Sequence, residues 1–296
     1  MSRIRAVYLI VHSYSDLYVS NLVRFVHEML RVRSSAHVTF ISTDDIGEVD
    51  IEPQSLVYVI GDPFRSFPRP SSARLVFINL SLLTHSHSES PAGCDWIERK
   101  AIGFAQKVGS FDAVLDIYPD QALSIEANFS VPTYSFLAGG RLQDGGQERD
   151  IDVCQIGAST PRRRVLSSRL GRLGLALSPC DGAILEDIAS RSKIVLNVRA
   201  WRSANIEVPR ILGAFASGAC LLTETLSKST FPKGLYVEAE YCEIAAAALD
   251  LVGDKARTAR LAAMAREWFK EVYMPGVRED WSRLVPTLEA RLFDPG

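Results

Sequence analysis

Short apolar runs, two of them followed by longer stretches with helical spacing, recur from residue 1 to 138. Ala6–Val11 is apolar throughout, as a strand covered on both faces must be. The polar segment His12–Asp16 reads as a loop, with Ser15 or Asp16 capping a helix over Leu17–Val32. Strands are predicted at Val38–Ile41, Ser55–Ile60, Arg74–Leu80, Ala113–Ile117 and Val131–Phe136, and a helix at Trp96–Val108. Repeated strand-then-helix units imply a parallel sheet with helices on both faces.

Gly139–Asp150 is mostly polar and holds four glycines, so it reads as a hinge linker. The alternation then restarts. Strands are expected at Ile151–Ile156, Leu175–Leu177, Lys193–Val198, Ala219–Thr223 and Gly234–Val237. Helices are expected at Arg162–Leu173, Ile184–Ser190, Glu207–Ser217, Cys242–Leu251 and Thr258–Tyr273. Pro275-Gly276 is read as a break before a terminal helix over Val277–Phe293, kinked at Pro286, with Trp281, Leu284, Val285 and Leu288 on one face. The fold class expected is α/β: two Rossmann-like doubly wound domains, 1–138 and 151–275, joined by the 139–150 linker. Residues 276–296 would form a helix crossing back, and a cleft between the domains would be lined by residues just after strands.

The stretch from Lys193 to Glu224 reads as strand, loop, helix, strand. On its helix Val208, Ile211, Leu212 and Phe215 form a buried stripe. Glu207 and Arg210, three apart, share another edge, which Ala214 and Ser217 continue as small residues, leaving room for a ligand.

Composition narrows the classes. At 296 residues the chain accommodates two domains, and 47% hydrophobic with 23% charged residues is ordinary for a globular protein. A formal charge of -2 provides no basic field for a nucleic-acid partner. The five cysteines are scattered without a C-x-x-C pair, which points to buried thiols in a reducing cytoplasm. Ala6–Val11 is too short for a signal-peptide core or a membrane span, so the location expected is cytoplasmic. There is no G-x-G-x-x-G after a strand, no G-x-x-x-x-G-K-[ST] and no G-x-S-x-G. The D-x-D at Asp150–Asp152 opens a strand instead of following one, and His85, His87 and Glu89 lack the spacing of a zinc site. No metal or cofactor is expected.

Leu196-Asn197, then Glu207-x-x-Arg210, a small turn at Ala216–Gly218, and Thr223-Glu224 resemble the nucleotide-sugar half of GT-B glycosyltransferases. More narrowly, the pattern is similar to bacterial glycosyltransferases of surface-polysaccharide type. The resemblance covers Ile151–Leu251. It implies a metal-independent transfer of sugar from a nucleotide-sugar to a hydroxyl of a glycan, a lipid-linked or a small-molecule acceptor. Better-known relatives carry a ribose-binding Glu three residues after the arginine; here that position is Gly213, leaving Glu207 or Glu224 for the ribose.

Such a donor needs positive charge and backbone amides for its diphosphate. Candidates are Gly157, Ser159, Arg162 and Arg163 in the turn after the strand Ile151–Ile156, Arg199 and Arg202 in the loop after Leu196-Asn197, and Glu207, Arg210 and Glu224. An inverting transfer also needs a base near the acceptor hydroxyl, for which the candidates are His12 just after the first strand, Asp16 four residues on, and Asp62 at the end of the third strand. Two other readings keep the fold: a nucleotide-sugar epimerase, and a catalytically silent binding or scaffold subunit. Peripheral membrane contact through Trp268 and Phe269 is weighed against their packing in a core.

Overall fold

The computed structural model describes residues 4–61, 64, 73–80, 83, 95–143, 148–157, 159–180, 185–199, 208–226 and 231–293. The chain divides into two compact units, one of Met1–Thr84, Cys94–Gly139 and Gly276–Gly296, the other chiefly of Gly140–Pro275. Each carries one parallel sheet.

In the first unit β1 (Val7–His12), β2 (Val38–Thr43), β3 (Leu56–Ile60), β4 (Arg74–Asn79), β5 (Ala113–Asp116) and β6 (Thr133–Ser135) lie in the order β2-β1-β3-β4-β5-β6. All neighbours run parallel. The chain winds outward from β1 to β2, then returns to the other side of β1 at β3, so the strand order switches there. The central strands are buried along their whole length, which is why they read as unbroken apolar runs. Helices α1 (Ser13–Tyr18), α2 (Ser20–Arg33), α3 (Asp95–Lys107) and α4 (Pro119–Phe129) make the connections.

Two of these helices differ from the sequence expectation. Where a loop was expected after β1, α1 starts at once, because the His12 imidazole is itself the cap: its Nδ1 accepts the Tyr14 amide at 3.1 Å. Asp16 therefore sits in the first helical turn and not at a cap. Helix α4 was not expected at all. Its start signal, Pro119 at the first position, was present. Its apolar residues, however, do not share a face: Ala122 and Ile125 are buried while Leu123 is 70% exposed.

In the second unit β7 (Ile151–Ile156), β8 (Leu177–Cys180), β9 (Ser192–Asn197), β10 (Cys220–Glu224) and β11 (Val237–Ala239) lie in the order β11-β10-β9-β7-β8, again all parallel. Here the order switches between β7 and β9. Helices α5 (Pro161–Arg172), α6 (Leu185–Arg191), α7 (Val208–Ser217), α8 (Ile244–Gly253) and α9 (Lys255–Trp268) flank this sheet. Strand β8 starts at the residue where Leu175–Leu177 was expected to end, and it runs through Pro179. That proline is tolerated because β8 is an edge strand. Strand β11 likewise starts late, since Gly234 adopts φ +94° in the turn before it.

The break expected at Pro275-Gly276 does not occur. Phe269–Tyr273 forms a π turn, in which the Met274 amide reaches back to the Phe269 carbonyl, and α10 (Met274–Phe293) follows directly. Pro275 thus enters in the first turn of a new helix, where its missing N–H has no partner to lose. From Gly276 onward this helix belongs to the first unit. Its stripe of Trp281, Leu284, Val285 and Leu288 is buried as expected. Trp281 Nε1 donates to the Leu137 carbonyl at 3.1 Å, and the indole meets Phe136 edge-on at 5.4 Å. Glu289, buried with it, accepts Ser34 Oγ at 2.5 Å and the Ser35 amide at 3.2 Å, fastening α10 to the end of α2.

Replacing Glu289 with alanine leaves the Ser34 hydroxyl and the Ser35 amide without their buried acceptor. The expected cost is about 1–3 kcal/mol, read as a lower urea midpoint with an unchanged m-value. A midpoint equal to wild type would show that α10 is held by its apolar stripe alone.

Candidate functional site

Polar side chains gather at the carboxyl ends of the second sheet, where the strand order switches and a parallel sheet leaves a crevice. Gly157 follows β7 with φ +97°. A Cβ there would stand 2.7 Å from Arg163 Nη1 and 3.0 Å from Arg210 Nη2, so only glycine fits beneath these two guanidinium groups. Thr160 caps α5, its hydroxyl accepting the Arg163 amide at 3.3 Å, and Pro161 opens the helix.

The next strand end supplies the acceptors. Val198, one residue past β9, offers a carbonyl that receives Arg163 Nε at 3.0 Å, Arg163 Nη2 at 2.8 Å and Arg210 Nη1 at 3.3 Å. Asn197 aims Arg210: its Oδ1 accepts Nη1 at 2.9 Å, and its Nδ2 donates to Thr223 Oγ1 at 2.9 Å. The Leu-Asn and Thr-Glu pairs of the sequence are thereby joined into one scaffold across β9 and β10.

Glu224 closes the cluster and is itself buried. Arg162 clasps its carboxylate through both Nη atoms, and the Arg199 amide donates to Oε2 at 2.7 Å. Arg162 also lies 3.8 Å over the Tyr241 ring, while the Tyr241 hydroxyl donates to the Arg162 carbonyl at 2.6 Å. The Arg199 side chain turns to the Thr225 carbonyl. Four guanidinium groups are thus fixed at these strand ends, and one of them, Arg162, is paired with a carboxylate. The excess positive charge at a strand-end crevice suits a phosphate-bearing ligand.

The expected donor residues divide accordingly. Gly157, Arg162, Arg163, Arg199, Arg210 and Glu224 come together. Ser159 is exposed and offers its carbonyl to Arg164 at 3.4 Å. Arg202 and Glu207 lie outside the described residues, as do Asp62 and the His85–Glu89 segment. One expectation is corrected. Ala214 and Ser217 do not line an open edge; both are buried, and the Ser217 carbonyl accepts Arg149 Nη2 at 2.9 Å. Their small size serves close packing within the unit. At Gly213, by contrast, no described atom lies within 4 Å of a Cβ built there.

In the first unit His12 stands at the end of β1, beside the strand-order switch. Gly61 at the end of β3 faces it so closely that a Cβ would come within 2.6 Å of His12 Cβ. The ring meets Phe64 edge-on at 4.9 Å and lies 3.9 Å from Asp44 Oδ1. Because Nδ1 accepts the Tyr14 amide, the neutral ring carries its proton on Nε2 and presents a donor.

Sequence reasoning missed a further polar cluster. Asp116, at the end of β5, is fully buried and accepts Asn79 Nδ2 at 2.8 Å, Gln121 Nε2 at 2.8 Å and the Tyr118 amide at 2.7 Å. Gln121 in turn accepts the Leu83 amide at 2.7 Å. The signal was available: Asn79 and Asp116 each end an apolar run, as Asn197 and Glu224 do. Loss of solvent pushes the Asp116 carboxyl up to about 6, against the opposing pull of its hydrogen bonds from Gln121, Asn79 and Tyr118.

Since the folded-state value lies above the unfolded one, the native state binds the extra proton between about pH 4 and 6. Stability is therefore expected to fall by up to about 3 kcal/mol as pH rises through that window, then level off. Asp116→Asn should flatten that slope, as followed by urea midpoints at several pH values. A slope that survives the substitution would place the proton elsewhere.

No protein-family model matches the chain, and no curated protein matches it. Solved structures do. Anabaena HepE in complex with UDP-glucose is similar with a TM-score of 0.58 at 11% identity, over 95% of this chain and 99% of that one. A mutant of S. aureus TarM in complex with Fondaparinux, alpha-GlcNAc-glycerol and UDP gives 0.54 at 12% identity. That likeness covers 81% of this chain but 55% of TarM, so the chain spans about half of TarM's length. An alpha-glucosyltransferase in complex with UDP and a 13-mer DNA gives 0.52 at 11% identity, over 89% and 95% of the two chains. The fold is that of the GT-B glycosyltransferases, an α/β architecture of two Rossmann-like domains.

Proposed function

We propose that the chain is a glycosyltransferase that moves a sugar from a nucleotide-sugar to a hydroxyl acceptor. The observation that carries this reading is the gathering of Arg162, Arg163, Arg199 and Arg210 at the strand ends of the β7/β9 switch, with Arg163 and Arg210 standing over Gly157. Support comes also from the UDP and UDP-glucose held in structures of the same fold.

In this reading the diphosphate lies beside Gly157, near the N-terminus of α5 and against Arg210. As the sugar leaves, negative charge grows on the nucleoside diphosphate, and fixed guanidinium groups stabilise it without a bound metal. Arg162 and Arg163 act chiefly as struts, one clasping Glu224 and the other the Val198 carbonyl. Glu207 or Glu224 would contact the ribose. On the acceptor side His12, Asp16 and Asp62 are the proposed groups. A base role for His12 requires release of the Tyr14 amide from Nδ1 or proton exchange at Nε2. The acceptor class is a glycan, a lipid-linked sugar or a small hydroxylated molecule, in glycan or polysaccharide synthesis at a cytoplasmic location. Among the described residues no helix is long and apolar enough to cross a membrane. Phe269 is buried and Trp268 packs edge-on against Phe215 and Phe231, so neither supports a peripheral membrane anchor.

One observation favours a second reading, a silent binding or scaffold subunit. Gly213 leaves the ribose without its usual carboxylate, and Glu224 already receives three donors.

The two readings separate in a thermal-shift panel of UDP, GDP, dTDP, CMP and ADP. At about 100 times its dissociation constant one nucleotide should raise Tm by about 5–10 °C. Arg210→Ala should abolish the shift, and Arg164→Ala, at an exposed position, should keep it. A flat panel in folded protein would sink the transferase reading and leave the silent one.

A further inference from the structure

At the opposite end of the second sheet from the guanidinium cluster, a cavity of about 620 Å³ opens beside the amino ends of β9 and β10. Its volume lies within the range of small-molecule sites. Arg149, Lys193 and Arg266 stand around Gly218 at one end, and α9 carries Lys255 at the other. Lys255 and Arg266 are eleven residues apart on one helix, or about 16 Å at 1.5 Å per residue, so the space is elongated. Leu251, Val252, Ala259 and Ala262 make its apolar wall.

The charge in this cavity is one-sided. Lys193 is neutralised by Asp152 at 2.6 Å. Arg149 gives both Nη groups to carbonyls, those of Ala189, Ser192, Ser217 and Gly218, so it contributes charge to the cavity and no free Nη hydrogen, whereas Arg266 binds the Gln143 carbonyl. Among the described residues neither has a carboxylate partner, nor has Lys255. Burial, and after it the neighbouring Arg266 charge, lowers the proton affinity of Arg149. The apolar wall also limits what the anion can carry. Among the described residues lining it the one hydroxyl, Thr258 Oγ1, already donates to the Leu251 carbonyl at 2.6 Å, and there is no carboxylate to receive sugar hydroxyls or a base. A nucleotide-sugar would find charge for its phosphates here, but no described side chain to read its sugar or base.

We infer that this cavity binds a phosphate-bearing amphiphile, its head on Arg266 within the positive field of Arg149 and its apolar body along Leu251, Val252 and Ala262 toward Lys255. The site is separate from the cluster at the carboxyl ends of the strands and does not depend on the transferase reading.

Calorimetric titration of the whole chain with octyl phosphate and with inorganic phosphate tests this directly. Octyl phosphate should bind at least about tenfold more tightly, since each buried methylene contributes roughly a factor of four. Arg266→Gln should weaken both ligands by about tenfold or more. Ala259→Glu, at an exposed helix position that tolerates glutamate, should lower octyl phosphate to the level of inorganic phosphate and leave the latter unchanged. Absent binding or insensitivity to both substitutions would overturn the site. Equal affinity for the two ligands would overturn the amphiphile and assign the cavity to free phosphate.

Discussion

A single backbone carbonyl, that of Val198, holds two guanidinium groups side by side, and much of the second unit's polar architecture follows from it. In a parallel sheet the ladder occupies carbonyls until a strand ends; one residue past β9 the Val198 carbonyl is released from the ladder and turns to side chains. Arg163 and Arg210 repel each other, and that repulsion is tolerable only where fixed acceptors lie between them. The carbonyl, the Asn197 amide and, for Arg162, the Glu224 carboxylate provide these acceptors. Each comes from the end of β9 or β10, so the register of two neighbouring strands sets where the positive charge stands.

The first unit obeys the same rule with the signs reversed. At the ends of β4 and β5 the converging groups are donors, and the charge they surround is the carboxylate of Asp116. That network is closed to solvent, whereas Arg210 in the second unit remains only half-buried. A closed polar network fixes backbone, here the amides of Leu83 and Tyr118. A partly open one retains surface for a ligand.

Most of the sheet was legible in the sequence because strands buried on both faces cannot hide their apolar runs; β7 lies over the very residues expected. The features that escaped did so for physical reasons. Helix α1 was hidden because its cap is a histidine, a residue outside the usual capping set. Strand β8 was displaced by a proline that only an edge strand can carry, and edge status is a property of topology, not of local sequence. The π turn at Phe269–Tyr273 turned an apparent proline-glycine break into a continuous helical path. At the site, Asn197 and Arg210 were marked by their motif, but small residues such as Ala214 and Ser217 look alike whether they line a groove or pack against a neighbour. Asp116 was passed over because its partners, Asn79 and Gln121, lie 37 and 5 residues away and meet it only in the folded sheet.

Gly213 has an evolutionary implication. A glycine inside a helix costs roughly 0.5–1 kcal/mol relative to alanine, and it is usually retained where something crowds it. Nothing described crowds this one. Every glycine codon lies one base change from an acidic residue, glutamate or aspartate, so a carboxylate on this face of α7 is a single step away, with no described neighbour obliged to repack.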